Sequence, residues 1–246
     1  MTLLLDSLLT EVAGLPEGSC SCTTCMPLAR RLSADGLLAE IPGLPGFHLY
    51  DHTIDALLND GDETLDYYID KSFGWDYLGN ADGWIDTAIH SVGHSTTDIA
   101  FIQYVFNRLD PLIDLDFRRR YTNYGTEIDF YSVNYVSAWG DQPVVGQAVP
   151  RGGRLAGGGG AWWDVIWSDT DGLPSLNDFD ANTIVHEIGH ALGLSHPNND
   201  PFNGNWNTDD TVMSYNISPD GWDYWFSDTD IAALQAIWGV ENDVLV

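Results

Sequence analysis

The stretch His186-Glu187-Ile188-Gly189-His190-Ala191-Leu192-Gly193-Leu194-Ser195-His196 narrows the possible folds of this chain more than any other. His186 and His190 are four residues apart. Four residues turn a helix by roughly 400°, so both imidazoles leave one face. Gly193 can take a positive φ, end the helix and turn the chain back. That turn lets His196 bring a third imidazole, out of helical register. The fold must therefore gather a helix, a glycine turn and a return segment around one point. Three neutral nitrogen donors with one open tetrahedral position form a catalytic zinc site, not a closed structural one. Glu187 sits at the edge of the same face. It is placed to hydrogen-bond a water activated there, take its proton and pass it to a leaving amine. A bare pair of helical histidines could equally be surface residues. The glycine and third histidine at fixed offsets, each with a mechanical purpose, argue against that reading.

Composition removes other functions. Asp and Glu number 37 against 9 Lys and Arg, a formal charge of −28. Such a chain repels nucleic-acid phosphates and anionic headgroups, so neither nucleic acid nor a membrane is expected as a partner. Lys71 is the single lysine and does not follow a glycine, so no Walker A loop exists and Gly157–Gly160 is not a phosphate cradle. Thr2–Leu9 is apolar, but it is short, carries Asp6 and lacks a basic flank. The expectation is a soluble protein, and if exported, one without a Sec signal peptide.

The three cysteines, Cys20, Cys22 and Cys25, all lie near the N-terminus. No disulfide can staple the main body. The cluster has four readings: a local disulfide with one thiol over, a soft-metal site, a thiolate that reaches an active site, or loop cysteines without a catalytic role. The Pro/Gly run Ile41–Gly46 reads as a linker. The domains expected are an extension over 1–46, a possible pro-segment, and a body over 47–246.

Ser95 opens a helix whose Ile99, Ile102, Val105, Phe106 and Leu109 share one face, and Pro111 ends it. Helices are also read at Phe179–Leu194 and Asp228–Trp238, and a short helix or turn at Ile54–Leu58. Strand-like runs are Leu65–Ile69, Leu112–Phe117, Ile128–Val133 and Trp163–Trp167. Without regular βαβ alternation the class is α+β. His48, His52, His90 and His94 read as polar or capping residues. Asp169-Thr170-Asp171-Gly172 begins like a calcium loop without completing the EF-hand pattern. Asp164, Asp169 and Asp171 are the calcium candidates.

The motif is followed by Thr211-Val212-Met213-Ser214-Tyr215. A three-histidine motif with such a Met-turn resembles the metzincin zinc peptidases. Gly193–Pro197, Val212–Tyr215 and Asp230–Gly239 resemble the serralysin branch most closely, and the likeness extends over about Tyr50 to Gly239. It implies a zinc-dependent endopeptidase on a metzincin fold. That fold has a twisted mixed sheet with a backing helix, then an active-site helix and a C-terminal helix below a zinc cleft between two lobes. It implies zinc on His186, His190 and His196, Glu187 as base and then acid, and Met213 as an apolar floor. Tyr215 then stabilises the oxyanion. The Gly157–Trp163 segment would be the edge strand that pairs with substrate. The resemblance further implies a secreted monomer acting on proteins or peptides, though the family's calcium repeats are absent. The end, Glu241–Val246, reads either as a type I secretion tail or as the start of a further strand. Matrixins, a sister branch, block zinc with a pro-segment cysteine, so Cys20, Cys22 or Cys25 is a candidate latency group of a zymogen. The alternative reading is a latent or non-catalytic metal-binding or adhesive module on the same fold.

Overall fold

The computed structural model describes residues 32–58, 61–79, 86–154, 159–172 and 174–242. Cys20, Cys22, Cys25 and Val244–Val246 lie outside them. Among the described residues are four α-helices, α1 (Leu49–Leu57), α2 (Thr96–Leu109), α3 (Asp178–Ala191) and α4 (Asp228–Trp238). Seven strands form one mixed sheet: β1 (Thr64–Ile69), β2 (Gly74–Leu78), β3 (Thr87–Ser91), β4 (Asp116–Arg120), β5 (Ile128–Val136), β6 (Gly146–Arg151) and β7 (Trp162–Ser168). The α+β class holds.

β5 organises the sheet. β1 and β7 run parallel to it on its two flanks, with Tyr68 and Asp164 both in register with Asp129. β4 lies parallel beyond β1. β3 and β2 add an antiparallel pair on the second half of β5, across a bulge at His90/Ser91. β6 runs antiparallel beyond β7 and ends the sheet on that side. The expected substrate-side strand around Gly157–Trp163 is thus corrected. Trp162 and Trp163 belong to an inner strand, and the terminal strand is β6. Periodicity could not identify β6, because all six of its residues are buried and one of them is Pro150.

The main core lies on one sheet face. Leu65, Tyr67, Ile69, Phe130, Trp163, Val165 and Trp167 meet Ile102, Val105, Phe106 and Leu109 of α2 and Ile184, Val185 and Ile188 of α3. Hydrophobic spacing on α2 turns these four residues inward, and Ser95 caps the helix by accepting from the N–H groups of Thr97 and Asp98. A smaller cluster, including Ile89, Val133, Val149 and Ile166, fills the opposite face.

Residues 32–46 do not form a separate linker. Leu37 is fully buried in the main core, at the end of a 3-10 turn over Ala34–Leu37. The Ile41–Gly46 run closes on itself, with Ile41 N–H donating to Phe47 O at 2.8 Å. Prolines there shape a turn that leads into α1, and the packed body begins before it. No helix among the described residues is long and apolar enough to cross a membrane.

Candidate active site

Asn177 starts α3 by accepting from Asp180 N–H at 2.8 Å, a cap of about 1 kcal/mol. Every residue from Asp180 to Ala191 is buried. The apolar ones face the core, so His186 and His190 emerge on the opposite side. The helix stops at Ala191, short of the Leu194 expected from sequence. Gly193 N–H donates to His190 O at 3.0 Å and Leu194 N–H donates to Gly189 O at 2.8 Å, the two bonds of a Schellman stop. Gly193 has φ 106°, and a Cβ there would stand 2.5 Å from Tyr50 Cβ. Both the turn and the close packing require glycine.

This stop delivers His196. Its Nε2 lies 3.3 Å from His186 Nε2 and 3.2 Å from His190 Nε2. Nδ1 of His186 donates to Val212 O and Nδ1 of His190 to Leu194 O, each at 2.8 Å. With Nδ1 protonated, Nε2 carries the lone pair. Burial, reinforced by the neighbouring His190, pushes His186 down to about 3, and burial pushes His190 down to about 4. Burial also holds His196 well below the usual imidazole range. Neutral imidazoles therefore aim their lone pairs at one buried point, an arrangement that a cation relieves. Nitrogens bound at 2.0–2.1 Å in a tetrahedron stand about 3.3–3.4 Å apart. The three donors fit zinc in both chemistry and spacing.

Met213 lies fully buried beneath the cluster. A Cβ on Gly189 would stand 2.6 Å from Met213 Sδ, so the sulfur occupies the space left by the missing side chain. The Tyr215 ring is centred 5.3 Å from that of His186 and 4.9 Å from that of His196. Its buried hydroxyl has no hydrogen-bond partner among the described residues. A cleft open to solvent is lined by His186, Glu187 and Tyr215 together with Val145, Phe179, Thr183 and Trp222. Glu187 is itself buried, and a Cβ on Gly146 of β6 would stand 2.5 Å from its Oε1.

Sequence reasoning missed Gly146, the cleft walls and Asp230. Asp230 Oδ2 accepts from Val212 N–H at 3.1 Å and Oδ1 accepts from Thr211 Oγ1 at 2.5 Å. It thereby holds the residue whose carbonyl orients His186. Its place in the first turn of α4 marked it only as a capping residue. That cap is completed by Ser227, which accepts from Asp230 N–H.

The calcium candidates are corrected. Asp164 does not join Asp169 and Asp171. It lies in β7, buried against Arg151, whose Nε donates to it at 2.7 Å. Asp180 takes its place: ligand atoms of Asp169, Asp171 and Asp180 lie within 4.8 Å of one another. Both Asp180 oxygens already accept from Thr170, at 3.0 Å from N–H and 2.6 Å from Oγ1. Carboxylates so engaged assign no ion. Of the other histidines, His52 and His94 are buried.

No family profile matches the chain. The chain is similar to "Serralysin G" of Dickeya chrysanthemi, 36% identical over 97 residues, covering 33% of this chain and 20% of that protein. It is also similar to "Metallopeptidase AprA" of Pseudomonas marginalis, 35% identical over 69 residues, covering 28% of this chain and 12% of that protein. "Serralysin C" of Dickeya chrysanthemi is 34% identical over 91 residues, 37% of this chain and 16% of that protein. The chain thus spans a fifth or less of the length of these relatives. The partial likeness is to metallopeptidases.

Proposed function

We propose that this chain is a zinc-dependent endopeptidase of the metzincin kind, similar to serralysins. The supporting observation is the convergence of three neutral Nε2 atoms, 3.2 and 3.3 Å apart, in a cleft that also holds Glu187 and Tyr215. His186, His190 and His196 would hold the metal. Zinc, when bound, supplies Lewis acidity toward a water and the scissile carbonyl. The carboxylate of Glu187 takes the water's proton and returns it to the leaving amine nitrogen. The hydroxyl of Tyr215 donates to the carbonyl oxygen as negative charge develops on it. The backbone of β6, the last strand on that side, offers an extended peptide a partner. One substrate side chain enters the space between Val145, Phe179 and Trp222. The substrates are proteins or peptides outside the cell, cut by a monomer. A cysteine of the N-terminal segment serving as a latency group belongs to the same proposal.

The test is cleavage of a quenched, unfolded protein by the zinc-loaded chain with and without residues 1–31, with Glu187→Ala beside each. Cleavage by the wild type and a loss of at least about a hundredfold in the variant is the expected result. Cleavage only once residues 1–31 are removed assigns the latency to that segment, whereas bound zinc without cleavage by any of these proteins overturns the catalytic reading in favour of a metal-binding module.

A further inference from the structure

We propose that residues 33–40 form a positioning strap for the third histidine. This rests on the zinc reading of His196. The run from Ser195 to Asn199 contains that ligand, and the strap grips it on both sides. Before the ligand, Ser195 N–H donates to Leu37 O at 2.7 Å, and Ala39 N–H donates to Ser195 Oγ at 3.0 Å. After it, Asn199 Nδ2 donates to Glu40 O at 3.3 Å, and a Cβ on Gly36 would stand 3.1 Å from Asn198 Oδ1. The strap is itself anchored, because Leu37 is fully buried in the main core.

The other two ligands do not need such a device. His186 and His190 are oriented through their own Nδ1–H bonds to carbonyls. His196 has no such bond among the described residues, so its aim depends on its backbone. That backbone is unusual: Asn198 and Asn199 both lie in the left-handed region, at φ 52° and 58°. Two consecutive non-glycine residues there persist only where surroundings hold them. Helix α3 places two imidazoles by its own geometry, whereas the third is placed by a segment far upstream. Any cut that removes the N-terminal part must then fall before Ser33 to leave the site intact.

Zinc affinity of the full-length chain, measured by chelator competition at neutral pH, tests this. Ser195→Ala removes the acceptor for Ala39 and touches no ligand. Asn199→Gly keeps the left-handed backbone and loses only the bond to Glu40. Thr87→Ala is the control, since it removes a similar acceptor for Ala138 N–H beside β3. Loss of an outer contact to a metal ligand weakens affinity about tenfold or more. That loss is expected for Ser195→Ala, with a smaller one for Asn199→Gly. The control should leave affinity unchanged, and the metal-free melting temperature of Ser195→Ala should shift no more than the control's. Affinity of Ser195→Ala within twofold of wild type, or an equal loss in the control, overturns the strap. A wild-type chain that binds no zinc overturns the site reading itself, a separate and distinguishable failure.

Discussion

Met213 fills the space that a side chain at Gly189 would occupy, its Sδ standing 2.6 Å from the position of a Cβ there. Gly189 lies between the two helical histidines, so the methionine packs directly under the helix turn that carries them. Gly189→Ala gains about 1 kcal/mol of helix propensity. Overpacking a closed core costs about 1–3 kcal/mol. The overlap wins, because Met213 is fully buried and Phe226 also stands 3.4 Å from the new Cβ. A net loss of up to about 2 kcal/mol in urea unfolding is expected, with weaker zinc binding.

Gly146→Ala separates chemistry from metal binding. The new methyl would lie 2.5 Å from Glu187 Oε1 and 2.7 Å from Thr183 Cγ2. Its three nearest atoms belong to Glu187 and Thr183, and none to a histidine. Displacing a reacting group by about 1 Å costs about a hundredfold in rate. Peptidase turnover should fall by that order while zinc content stays at the wild-type level, measured on one preparation.

Arg151 and Asp164 form an ion pair in which both side chains are almost completely buried. Burial raises the Asp164 carboxyl, and Arg151 opposes that rise. Arg151→Leu strands the carboxylate and should cost about 3–5 kcal/mol in chemical denaturation. Arg151→Leu with Asp164→Leu removes both charges, and most of that loss should return. A double variant no more stable than the single one would count against the pairing.

His94 gives a pH signature independent of the zinc site. Its Nδ1 donates to Asp70 O at 2.6 Å, and its Nε2 accepts from Trp167 Nε1 at 3.0 Å. Burial lowers it to about 4. The unfolded chain takes up this proton near pH 6.5 and the folded chain only near 4. The stability it contributes is therefore full above about 6.5 and is lost as pH falls to about 4, at about 1.4 kcal/mol per pH unit. Asp129 acts in the opposite direction, since burial pushes it up to about 8 and the folded state gains stability as it protonates. The readout is thus a difference. The pH slope of His94→Gln between 6 and 4.5 should lack one proton relative to wild type. Identical slopes would refute the assignment.

Helices α2, α3 and α4 were legible because caps and apolar spacing are local. Ser95 caps α2, as sequence led one to expect, and Gly239, at φ 94°, follows α4 where the expected helix ends at Trp238. Strands were less legible. The run Leu112–Phe117 reads as a strand, yet pairing begins only at Asp116, where β1 supplies a partner. β2, β3 and β6 carry no alternation strong enough to announce them. Leu37 shows the same limit at the N-terminal side: beside a Pro/Gly run it reads as part of an extension, and only its full burial shows that it belongs to the core.

The sequence by itself determined that His186 and His190 share a helix face, that Gly193 turns the chain, and that His196 follows at the right distance. Those outcomes depend on helix geometry and on glycine's freedom at positive φ. Tertiary structure decided the rest. Val212 orients His186 from 26 residues away, and Ala39 reaches Ser195 across 156. Asp164 turned to Arg151 rather than to Asp169. Such choices come from the packing of distant segments, where a buried polar group must find a partner and a buried side chain must find room. No local spacing encodes which partner or which room it will be.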